Sequence, residues 1–68
     1  MKLSARNQLK GAVAEIEPGP VTTLVKVDVG GQMVTASITS DAVADLGLAV
    51  GSPVTVVFKA SSVMVAID

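Results

Sequence analysis

The chain of 68 residues contains no cysteine, histidine, tryptophan or tyrosine, and Phe58 is its one aromatic side chain. Without cysteine there is neither a disulfide staple nor thiolate chemistry. Without histidine the usual general base and metal ligand near neutral pH is missing. The missing aromatics remove the stacking platform of single-strand nucleic-acid binders. Five cations against six acids leave a net charge of −1, which gives no electrostatic footprint for duplex nucleic acid. No apolar run approaches the ~18 residues of a membrane span, and the opening Met-Lys-Leu-Ser-Ala-Arg lacks the apolar region of a secretory signal. The expectation is a cytoplasmic protein with no nucleic-acid partner and no membrane partner.

What is present is small and apolar. Half the residues are hydrophobic, in a length that suits a single domain over residues 1–68. A core this small is marginal. With no disulfide available and no metal-ligand cluster in sight, the remaining staple is oligomerisation. A homo-oligomer is therefore expected.

Periodicity is mostly two, broken at regular intervals, which reads as short β-strands. The first strand spans Asn7 to Glu15 or Ile16, with Leu9, Gly11 and Val13 on one face and Lys10, Ala12 and Ala14 on the other. Glu17-Pro18-Gly19-Pro20-Val21 stops it. Thr22–Val29 alternates cleanly, with Val25, Val27 and Val29 inward. Gly30-Gly31 marks a tight hairpin, and Gln32–Ile38 returns with Val34, Ala36 and Ile38 inward. A short helix follows over Ser40–Leu46, capped by Thr39 or Ser40 and stopped by Gly47. Two last strands, Val54–Lys59 and Val63–Ile67, are joined by Ala60-Ser61-Ser62. Five strands with a helix after the third predict an all-β fold, a small Greek-key barrel of the OB type.

Catalysis needs a base, a nucleophile or a metal held together, and no such set is visible. Glu15, Glu17, Asp28, Asp41, Asp45 and Asp68 are scattered, and the hydroxyls have no base to activate them. Neither dinucleotide-binding nor P-loop spacing occurs. The chain is not expected to be an enzyme, to carry a catalytic cofactor or to bind a metal as a free cation. It does supply donors. Ser4, Arg6, Thr39, Ser40, Lys59, Ser61 and Ser62 fall at strand ends or at the helix start, a pattern suited to cradling a small tetrahedral oxyanion. Each also has a plain structural use: Thr39 and Ser40 as caps, Ser61 and Ser62 in a turn, Lys59 with its stem along apolar surface.

Three segments in order, "SARNQLKG", "SITSDAVADLGLAVG" and "VVFKASSVMVA", resemble the Mop (molbindin) family over nearly the whole chain. The same module is similar to the oxyanion-binding domain of the molybdate-responsive regulator and of some molybdate importer ATPases. The resemblance implies a molybdate or tungstate ligand held between subunits of a hexamer, a trimer of dimers, for storage or buffering. The alternative is an oxyanion-sensing regulatory or scaffold module read by a protein partner. By the same resemblance the oxyanion ligands are Ser4, Ala5 and Arg6 at the start, Thr39, Ser40 and Ala42 at the helix, and Lys59, Ala60 and Ser61 near the end. At Ala42, where family members often carry serine, this chain lacks one hydroxyl donor.

Overall fold

In the computed structural model, which describes all 68 residues, the valine alternation builds the centre of one antiparallel sheet. Strand β1 is Asn7–Glu17, β2 Thr22–Asp28, β3 Met33–Thr39 and β4 Pro53–Phe58. The spatial order is β3-β2-β1-β4. Between β2 and β3, Gly30 and Gly31 both have positive φ, 85° and 93°, as a two-residue primed hairpin turn requires. Asp28 locks the turn by accepting a 2.7 Å hydrogen bond from the Gly31 N–H through Oδ1.

Strand β1 carries a device that strict alternation hides. Val13 faces Val27 and Glu15 faces Lys26, so Ala14 is an extra residue in a β-bulge. The bulge resets the faces. Ile16 turns inward opposite Val25, and Glu15 turns outward to meet Lys26 in the chain's one ion pair, at 3.6 Å. That pair is half-exposed and contributes at most about 1 kcal/mol. The bulged strand's other edge is satisfied by the turn before β4, through Gly51 N–H to Val13 O (2.8 Å) and Val13 N–H to Ser52 O (3.0 Å).

Leu9, predicted to share a face with Val13, is 40% exposed, whereas Val13 is buried. Residues 7–11 of β1 pair only with β4, and β2 begins to cover β1 at Ala12↔Asp28. At that changeover the backbones come close, and a Cβ built on Gly11 would stand 2.3 Å from the Asp28 carbonyl oxygen.

Helix α1, Ser40–Leu46, has the predicted bounds. Thr39 is its cap, accepting the Ala42 N–H at 3.1 Å, and Gly47 closes it in the left-handed conformation. The start of α1 is tied to the loop between β1 and β2 by a closed ring of hydrogen bonds. The Gly19 N–H donates to Thr23 Oγ1 (3.5 Å), the Thr23 hydroxyl lies 2.8 Å from Ser40 Oγ, and Ser40 Oγ donates back to the Gly19 carbonyl at 2.6 Å.

The expected fifth strand is absent. Val63–Ile67 pairs with nothing in the chain. After β4 a single 3-10 turn, Ala60–Ser62, leads into an extended tail, and Met64, Val65 and Ile67 are each at least 90% exposed. The fold is thus an all-β, four-stranded antiparallel curled sheet with one short helix. The reason is local: the 3-10 turn after β4 takes the chain out of the ladder, and the tail then pairs with neither open edge, β3 or β4. Only Val13, Thr23, Val25 and Val27 are buried. An open apolar groove of about 310 Å³ runs along the concave face, lined by Val13, Val25, Val27, Ile38, Leu48 and Val54 among others.

Gly11→Ala should lower the stability of the fold by roughly 1–3 kcal/mol, because the added methyl runs into the Asp28 backbone, with the Val29 side chain also close. Denaturant unfolding of the two proteins under matched conditions checks this, and equal midpoints would show that β1 and β2 have room at the crossing.

Candidate oxyanion-binding site

At one end of the sheet Asn7 pairs with Phe58. The residues just before β1 and just after β4 are therefore neighbours. Together they line a depression of about 220 Å³, made by Ser4, Ala5, Arg6, Lys59, Ala60 and Ser61. These are six of the nine residues that the family resemblance implied, drawn from two segments more than fifty residues apart in sequence. Arg6 and Lys59 flank it, neither has an ion-pair partner in the chain, and no carboxylate lines it. Two cations sharing a small depression with no acid between them repel each other. A divalent oxyanion would relieve that repulsion and accept charge-assisted hydrogen bonds from both. Ser4 and Ser61 add hydroxyls.

Gln8 has a part that the sequence reading did not give it. Its Nε2 donates to the Ala5 carbonyl at 3.1 Å, folding the segment before β1 back on itself beside Arg6. The signal was in plain sight: an amide side chain three residues beyond Ala5, at the start of a strand.

Thr39, Ser40 and Ala42 are elsewhere. Thr39 pairs with Thr22 at the far end of the sheet, where Leu24 faces Glu17. The 11 residues of β1 separate the two ends by a distance on the order of 30 Å at the usual rise per strand residue. One small anion cannot touch both groups within one chain. The Ser40 hydroxyl is also committed inward to Thr23 and Gly19, its N–H donates to Val21 O, and the Ala42 N–H is accepted by Thr39. Of this group, the Thr39 hydroxyl keeps a hydrogen to donate outward.

No group of three or more Asp, Glu, His or Cys residues could hold a metal cation. No helix is long and apolar enough to cross a membrane.

The fold, a short curled sheet with one helix, is shared with known proteins. The family model described as TOBE domain matches residues 3–65, and the chain belongs to that family. Within it the chain is similar to Mop-type proteins. It is 49% identical over 69 residues to the probable molybdenum-pterin-binding protein of Haemophilus influenzae, covering 100% of both chains. It is 53% identical over 67 residues to the molybdenum transport protein ModE of Herbaspirillum seropedicae, with 97% of this chain matched but only 25% of that protein's length. Its fold matches the structure of a molybdate-binding protein from Sporomusa ovata with a TM-score of 0.94 and 42% identity, over 98% of this chain and 100% of that one.

The inward commitment of Ser40 has a direct consequence. Ser40→Ala leaves the Thr23 hydroxyl hydrogen without an acceptor and the Gly19 carbonyl without a donor and should cost about 1–3 kcal/mol of stability. The affinity of the folded protein for molybdate should change by less than about twofold, well under the 1.4 kcal/mol that a decade requires. Thermal unfolding together with titration calorimetry checks both, and a tenfold loss of affinity with unchanged stability would place the hydroxyl at the anion instead.

Proposed function

We propose that this chain, as a single domain over residues 1–68, binds molybdate or tungstate as an oxyanion at subunit interfaces of a homo-oligomer, and serves to store or buffer it in the cytoplasm without catalysis. The observation that carries this reading is the depression shared by Arg6 and Lys59 with no acid beside them. A tetrahedral dianion gives up much hydration on binding, and this is favourable only where charged and neutral donors replace the water. Ser4, Ala5, Arg6, Lys59, Ala60 and Ser61 are the ligands supplied by one copy. Thr39, on the far side of the sheet, acts from a neighbouring copy.

Assembly belongs to the same reading. The concave groove is apolar and open, and the tail Val63–Ile67 is apolar, extended and unpaired. We take the occupant of the groove to be the tail of a second copy, which supplies the fifth strand and closes an OB-like barrel. Five residues in extended form reach about 17 Å, enough to pair along a strand of ordinary length. Each large apolar side chain buried this way contributes about 1.5–3 kcal/mol, which offsets an ordering cost of about 1–2 kcal/mol per residue. Reciprocal exchange gives a dimer, and three dimers form the hexamer that the family resemblance implies.

A second reading, a regulatory module read by a protein partner, is favoured by the relationship to ModE, of whose length this chain spans a quarter. The two readings share the anion site and differ in whether a partner protein binds differently to the loaded and the empty assembly.

Hydrogen bonds to charged groups contribute about 1.5–3 kcal/mol each, and a tenfold change in affinity corresponds to 1.4 kcal/mol. Arg6→Met or Lys59→Met should therefore weaken molybdate binding by about tenfold or more, whereas Lys26→Met, on the outward face beside Glu15, should change it by less than about twofold. Titration calorimetry, with oligomer size checked by light scattering, is the test; equal affinities in all three would remove Arg6 and Lys59 from the site. Deleting residues 63–68 should give monomers in sedimentation at concentrations where the full chain is assembled. An intact oligomer after that deletion would refute the tail as the closing strand.

A further inference from the structure

The C-terminal arm and the anion depression share one element. Lys59, Ala60 and Ser61 line the depression, and Ala60–Ser62 is the 3-10 turn from which the arm departs. Beyond Phe58 the only hydrogen bonds in the chain are the two that close this turn, Ser62 N–H to Lys59 O at 3.0 Å and Val63 N–H to Ala60 O at 3.3 Å. Residues 60–68 are all exposed. Nothing but the turn fixes where the arm points.

We infer that the oxyanion site is the hinge clamp of the arm: an anion bound between residues 4–6 and 59–61 sets the angle at which Val63–Ile67 leaves the sheet, so that occupancy regulates how firmly the arm docks on the second copy. The inference rests on the proposed oxyanion reading of the same depression. Its physical basis is the pairing of a fixed jaw with a loose one. Segment 4–6 is held to β1 by the bond from Gln8 to Ala5 and by the ladder that starts at Asn7. Segment 59–61 is held at its β4 end only. With the anion absent, Arg6 and Lys59 push the jaws apart. With the anion bound, both cations converge on one dianion and the turn is pinned against β1. Every degree of freedom lost in the turn is lost for the arm that follows it, so the cost of ordering the arm is met partly before it docks. By linkage, a docked arm must in turn raise anion affinity.

The test is hydrogen exchange on the full chain with and without sodium molybdate, at a protein concentration where sedimentation shows the same assembled mass in both states, alongside calorimetry to establish binding. The amides of residues 63–67 should exchange about tenfold or more slowly with molybdate, a local effect of the kind exchange resolves. Inserting two glycines between Ser62 and Val63, which leaves every anion ligand in place, should reduce that slowing to less than about twofold. Molybdate that binds while arm exchange stays unchanged would overturn the hinge and leave the binding reading standing. Full slowing in the glycine insertion would also overturn it, since the arm would then respond through the interface alone. Absence of molybdate binding in calorimetry would overturn both.

Discussion

A four-stranded sheet whose edges, β3 and β4, are both unpaired cannot cover its own concave face. That constraint governs the rest of the molecule. With four of 68 residues buried, the chain has too little interior to account for its apolar content, and its most apolar segment, Val63–Ile67, lies outside the interior altogether. Closing the groove with a tail from another copy, as proposed, would satisfy the groove and the tail together. It also removes an exposed strand edge of the kind that otherwise invites uncontrolled pairing.

The proposed anion site follows from the same geometry. The depression is built where β1 begins and β4 ends, because the Asn7↔Phe58 pair brings the flanking segments together. It gathers two cations and two hydroxyls but is open to solvent, and a domain of this size has no interior in which to enclose a dianion. Enclosure needs a wall from elsewhere, and the position of Thr39 at the opposite end of the sheet fits a wall supplied by a neighbour. In this account binding and assembly are two aspects of one interface, linked by mass action.

Much of this was legible in the residues. The hairpin at Gly30-Gly31, the helix over Ser40–Leu46 and the inward valines of β2 each rest on a local rule that tertiary structure did not override. The bulge at Ala14 was not read, because period-two patterning assumes an unbroken ladder; the odd spacing from Val13 to Ile16 was its trace. Val63–Ile67 has every local property of a strand and so predicts a fifth strand within the chain, but the partner of a strand is not a local property, and the segment pairs with nothing there. Both its place at a helix start and the family resemblance put Ser40 among the expected anion donors. Its hydroxyl turns inward because Thr23 and Gly19, far off in sequence, form a ring with it. The clustering of Ser4, Ala5 and Arg6 with Lys59, Ala60 and Ser61 came from a family resemblance, and the pairing of β1 with β4 supplies its physical reason.

The central claim, that the oxyanion is held between copies of the chain, is tested most directly by native mass spectrometry with molybdate across a dilution series. The account predicts that bound anion appears on assembled species only and that its release accompanies dissociation. A monomer carrying molybdate as tightly as the assembly does would contradict it.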